Sequence, residues 1–222
     1  MSTLLRPSPL AESWLAEAMA RCAIGPARAD RLAQGLAKRY RERWRHYHTL
    51  DHVVTMFSLA ARHRDALADP AAFALAIWYH DAVYRPRRSD NEARSAELLI
   101  KDCSPEATAD PLVVPAMAPS VATASRLILA TAGHQAPEDL PDGPLFLDID
   151  LAILGAPAEA YRHYADQIRL EFRWVPGALY RIKRAEVLQR FLDRPRIFQT
   201  AEFAGLEGPA RRNLAAEIAS YR

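Results

Sequence analysis

The chemistry within reach of this chain centres on four residues, Trp78-Tyr79-His80-Asp81. They close an apolar run, Phe73-Ala74-Leu75-Ala76-Ile77-Trp78, that reads as a buried helix. An imidazole and a carboxylate therefore stand side by side where a hydrophobic helix ends. Buried polar groups need partners, and a buried charge needs a counter-charge or a metal. Companions exist on both sides: His48 and His52 upstream, His134, Asp148 and Asp150 downstream. A His-Asp dipeptide alone reads most simply as a helix-end cap. The companions move the weight to convergence on a divalent metal.

Each companion has its own spacing. Tyr47-His48-Thr49-Leu50-Asp51-His52 runs into Val53-Val54-Thr55-Met56-Phe57, and on a helix His48 and His52 stand roughly 40° apart, on one face. Such a pair can bind one metal, or one His can bind while the other handles a proton; two surface histidines are the plainer account. His134 follows Gly133 at the end of a predicted helix over 121–132, a common place for functional side chains. Asp148 and Asp150 lie in the apolar run 145–155, and on a helix they point roughly 200° apart, so only one readily faces a metal. Their burial cost asks for a reason, and metal ligation is a better one than exposure. Arg85, Arg87 and Arg88 follow the His-Asp pair closely, either as a clamp on an anionic substrate or as an exposed loop.

The elements that must position these residues are all predicted helical, since no sustained two-residue alternation occurs. Helices are expected over 11–22, 29–45, from 47 into 57, up to 80, 90–101, 121–132, 145–155, 158–174, 178–192 and 209–221. Ser89 and Glu92 have capping-box form ahead of the 90–101 helix. Arg31, Lys38, Arg39, Arg41, Arg43 and Arg45 make a basic stripe on the 29–45 helix, read as a solvated face because Glu42 and the low net charge leave no strong basic field. The stretch 103–120, with Pro105, Pro111, Pro115 and Pro119, is expected to separate two helices and to be the least ordered part. The last third reads as structural, with Tyr161, Tyr164, Ile168 and Phe172 on one stripe and Ile182, Leu188 and Phe191 inward.

At 222 residues and net charge +2, half hydrophobic and a quarter charged, the composition is that of an ordinary globular protein. No aromatic-interleaved basic patch argues for nucleic acid. Cys22 and Cys103 form no CxxC, the N-terminus has no signal-peptide pattern, and no run has bilayer-spanning length; a cytoplasmic protein without a membrane partner is expected. Only 8 glycines, with no phosphate-cradling loop, no GxSxG and no reactive-Cys signature, exclude a dinucleotide fold and those hydrolase classes.

In order, the constellation reads His48-x3-His52, His80-Asp81, His134, Asp148-x-Asp150. This resembles the HD-domain superfamily of metal-dependent phosphohydrolases, and the strings YHTLDH, AIWYHDAVY, DNEARSAELL, ATAGHQ and LDIDLAILG look like a bacterial subfamily described as predicted HD phosphohydrolases. The likeness runs from about Tyr40 to the C-terminus. It implies an all-α fold, one HD-type helical domain over 1–222, with a metal-site core at about 40–155 and helices of 156–222 packing on it. Tyr47-His48-x3-His52 is similar to the corresponding block of cyclic nucleotide phosphodiesterases in the same superfamily. Carried over, His52, His80, Asp81 and Asp150 are ligands and His48 is the general acid. Asp148 is the second choice for the last ligand, and Thr49 replaces the family's Asn. Asp81 could also orient the attacking water, and His134 is a further metal or substrate contact.

The resemblance implies hydrolysis of a small phosphate ester, a nucleotide first of all, with Mn, Mg, Fe or Zn lowering the pKa of a water. Arg85, Arg87 or Arg88 would offset phosphate charge. With only His134 between the His-Asp pair and the last Asp, one metal is expected, or a second held mainly by water and substrate. A non-catalytic metal-stabilised regulatory module and, further off, an HD-type di-iron oxygenase are the alternatives. Apolar C-terminal helices leave a homodimer open.

Overall fold

The computed structural model describes residues 9–104 and 118–221; the proline-rich stretch from Pro105 to Pro115 lies outside them. The described residues are all-α, with no strand. The chain divides into two compact units, Met1–Gly143 and Pro144–Arg222. The expected metal-site core of 40–155 therefore spans the division.

The first unit holds α1 (Pro9–Arg21), α2 (Pro26–Arg39), α3 (Leu50–Ala60), α4 (Pro70–Tyr79), α5 (Asn91–Cys103) and α6 (Pro119–Ala130). Helix α4 is its axis. Every residue from Ala71 to Tyr79 is buried, as expected of a helix apolar on all sides. Its small residues Ala71, Ala72, Ala74 and Ala76 let α1, α3, α5 and α6 pack around it. Asp69 caps its first turn by accepting from the Ala72 N–H at 2.9 Å, with Pro70 at the first helical position. Asp142 accepts from the N–H groups of Ala68 and Asp69, both at 2.9 Å, and so fixes the entry to the helix. Trp78 donates to the Ala11 carbonyl of α1 at 3.2 Å, and Tyr40 donates to the Trp78 carbonyl at 3.0 Å.

Of the boundaries that differ from the sequence reading, two shape the site. Helix α2 ends at Arg39, not Arg45, so residues 40–49 are turns. Tertiary bonds win here: the Tyr40 hydroxyl and the Arg45 guanidinium are drawn inward to the end of α4. Helix α3 then begins at Leu50 with Thr49 as its cap residue, so His48 lies before the helix and the pair does not share a helical face. The capping box also fails to form, because the helix starts after Asp90, whose side chain makes no cap bond but pairs with Arg88 and Arg94.

The second unit holds α7 (Gly143–Asp150, beginning at the junction), a 3-10 helix (Leu151–Gly155), α8 (Ala158–Glu171), α9 (Gly177–Leu192), a 3-10 turn (Ala204–Leu206) and α10 (Glu207–Ala219). Helix α10 packs on α9 and on the 151–155 segment. Asn213 donates to the carbonyls of Leu154 and Ala156 at 2.8 and 2.9 Å. Gly155 is needed for that approach, since a Cβ there would stand 2.6 Å from the Leu206 Cβ. Leu188 is buried as expected, whereas Ile182 is 58% exposed and faces outward.

Candidate metal centre

His80 is the residue directly after α4, 2% exposed, and its position at a helix C-terminus lets its ring fold back on the last turn. Its Nδ1 lies 2.9 Å from the Ile77 carbonyl. A carbonyl can only accept, so Nδ1 carries the proton and, in the neutral ring, Nε2 is left as a lone pair. That Nε2 faces His52 Nε2 at 3.3 Å and an Asp81 carboxylate oxygen at 3.0 Å. Three electron-rich atoms thus converge, one ligand atom from each residue, all within 4.8 Å of one another. Left to themselves they repel unless a proton is shared among them; a divalent cation satisfies all three at once. His52, 6% exposed on the first turn of α3, has its other ring nitrogen 3.3 Å from the Tyr47 hydroxyl. Such outer contacts orient metal-ligating imidazoles. This group can hold a metal ion.

Around it the turn 40–49 and the loop 82–91 interlock. The Arg45 guanidinium, its side chain wholly buried, donates to the carbonyls of His48 (3.1 Å), Asp81 (2.8 Å) and Ala82 (3.2 Å) and to the Glu42 carboxylate (3.2 Å). It lies between the rings of Tyr40 and Tyr84, at 5.1 and 5.4 Å from their centroids. The basic stripe read as a solvated face therefore loses its last member to the interior. The half-buried His48 ring also stacks on Tyr84, with centroids 4.2 Å apart and 29° between planes. Trp44 donates to the Tyr84 carbonyl at 3.0 Å, and Asn91 brackets the backbone of Arg85 through both its amide atoms. The signal for Arg45 in the sequence is its place in Trp44-Arg45-His46-Tyr47-His48, a lone cation among rings.

The three loop arginines are not equivalent. Arg88 is spent on Asp90 through two 2.6 Å bonds, and with Arg94 it holds that carboxyl well below the usual range. Arg85 lies over the Trp44 indole, its guanidinium carbon 3.8 Å from the ring centroid, with its backbone fixed by Asn91. Arg87 is exposed on the same loop.

His134, in the left-handed conformation (φ 47°) after α6, stands outside the three-residue group. Asp148, fully buried in the second unit, has a different reason for its burial than the one the sequence suggests. Its carboxylate accepts from the N–H of Gln199 (2.8 and 3.0 Å), the N–H of Thr200 (2.7 Å) and the Thr200 hydroxyl (2.6 Å). Burial pushes its pKa up, and the Thr200 and Gln199 bonds pull against that shift. Asp150 is the last residue of α7, half-buried. Among the described residues no helix is long and apolar enough to cross a membrane. In comparisons with known proteins, no family model, no curated protein and no solved structure matches this chain.

Proposed function

We propose that the chain is a metal-dependent phosphohydrolase of the HD type, acting on a nucleotide or another small phosphate ester. The observation that carries this reading is the His52–His80–Asp81 convergence at the end of a fully buried helix, with the His80 tautomer set by the Ile77 carbonyl. Those three residues would hold the ion. A divalent metal in such a site supplies Lewis-acid polarisation and an acidified water. The chain's own residues do the remainder. His48, outside the ligand group and stacked on Tyr84, is the proposed proton donor to the departing oxygen. Asp81 combines ligation with orienting the attacking water. Arg85, stiffened on Trp44, is the first choice to offset phosphate charge, and Arg87 the second; Arg88 is already paired.

Elemental analysis of the purified protein beside a His80→Ala/Asp81→Ala variant tests the reading. Both are then assayed with Mn²⁺ against nucleoside monophosphates and generic phosphodiesters. The expected result is roughly one metal per chain in the wild type, none in the variant, and phosphate release that follows the metal. Metal binding with no turnover across the panel would favour a regulatory module. Absence of metal in the wild type, even when supplied, would return His80 and Asp81 to a helix-end cap.

A further inference from the structure

The second unit contains a cavity of about 530 Å³ walled by α8, α9 and α10, and every residue that lines it belongs to that unit. Its volume is in the range of small-molecule sites. Its floor is the Glu217 carboxylate, 8% exposed, which accepts from the Tyr161 hydroxyl, the Tyr221 hydroxyl (2.6 Å) and the Arg184 guanidinium (2.8 Å from Nε). That carboxylate is fully spent. Its negative charge is matched by Arg184 beneath, so it neither repels an incoming anion nor invites a cation.

Three further guanidinium groups line the walls. Arg169 is pinned by bonds to the carbonyls of Phe172 (2.7 Å) and Val175 (3.2 Å), and it lies over the Tyr180 ring at 4.6 Å. Arg162 on α8 and Arg181 on α9 are exposed at the rim and make no ion pair among the described residues. Against these three cations stands one uncommitted carboxylate, Asp166. Tyr180, only 6% exposed, lends its ring to the wall, with its unpaired hydroxyl enclosed away from the open space. Ala158, Ala165 and Ala216 supply apolar surface between the charges.

We infer that this cavity is a second binding site, separate from the metal centre, for a small anion with a planar or apolar body. Arg162 and Arg181 grip its phosphate or carboxylate from two helices, and the tyrosine and alanine walls hold the body. Guanidinium forks suit both oxyanions, so the chemistry shared by the two is what the site selects. The inference does not depend on the hydrolase reading, because no metal-centre residue lines the cavity.

Calorimetric titration with AMP, adenosine and benzoate tests it, on the wild type after chelation, on the His80→Ala/Asp81→Ala variant, and on an Arg162→Ala/Arg181→Ala variant. Both arginines are exposed, so the last variant should fold. AMP or benzoate is expected to bind the first two proteins alike and the arginine variant about tenfold or more weakly, with adenosine weak throughout. A preference for AMP names a phosphate ligand, and a preference for benzoate a carboxylate. The inference is overturned if neither anion binds at millimolar concentration or if adenosine binds as well as AMP. It is equally overturned if anion binding is lost with His80 and Asp81 but kept in the arginine variant.

Discussion

Arg45 illustrates how one side chain can organise a site it does not enter. Its fork reaches the Asp81 and Ala82 carbonyls just past α4 and the His48 carbonyl in the preceding turn, so it ties the proposed general acid to the helix end that bears the candidate ligands. Backbone carbonyls beyond a helix C-terminus need partners, and here one guanidinium supplies them. A lysine would keep the charge but offers a single ammonium, which cannot span the same three oxygens. Arg45→Lys should therefore lower metal affinity by about 10- to 100-fold, the cost seen when groups that orient ligands are removed. Arg45→Ala should in addition reduce stability by about 1–3 kcal/mol through unsatisfied buried carbonyls. Metal titration and thermal unfolding of the two variants check this together. If Arg45→Lys unfolds earlier yet binds metal as the wild type does, Arg45 braces the fold and has no hold on the site.

At the scale of elements, helix identity was legible in the sequence and helix ends were less so. Helix α4 was plain because an uninterrupted apolar run can only be buried, and His80-Asp81 was plain because polar groups at its end demand partners. The 40–49 turn was not, because Leu36, Tyr40 and Trp44 keep a helical spacing while Tyr40 and Arg45 are claimed by carbonyls far along the chain. No local pattern records such a bond. Asp148 shows the same limit: its burial could be read, but its partners, Gln199 and Thr200, lie some fifty residues on. These bonds fasten the 199–200 segment to α7. Asp148→Asn places amide donors against N–H groups and should cost about 2–4 kcal/mol in unfolding free energy. Metal content should stay unchanged, as elemental analysis would show. Loss of metal with stability intact would instead make Asp148 the ligand.

For the molecule as a whole, the acid response is set by carboxyls shifted in both directions within each unit. In the first unit burial raises the Asp102 carboxyl, so protonation as pH falls relieves a cost there, while the lowered Asp90 belongs to an exposed pairing with Arg88 and Arg94 that water screens. In the second, burial also acts to raise Glu207 and Glu217, but hydrogen bonds outweigh it and both end lowered. For Glu207 the donors are the N–H groups of Phe198 and Ile197 and the Arg211 guanidinium; for Glu217 they are Arg184, Tyr161 and Tyr221. A carboxyl whose folded pKa is depressed stabilises the fold above its unfolded value, about 4.3 for glutamate. That contribution is lost as pH falls through the folded value. Raised Asp148 works the other way, its burial cost easing as it protonates, so it partly offsets the loss. Acid unfolding should therefore be felt first in the second unit, whose single tryptophan, Trp174, reports on it. Glu217→Gln isolates this contribution. At neutral pH the variant should unfold at lower denaturant than the wild type, because Arg184 loses its charged partner. As pH falls below the glutamate range the gap should close, since the wild-type carboxyl becomes neutral too. A gap that stays constant or widens in acid would mean that Glu217 stabilises by shape alone.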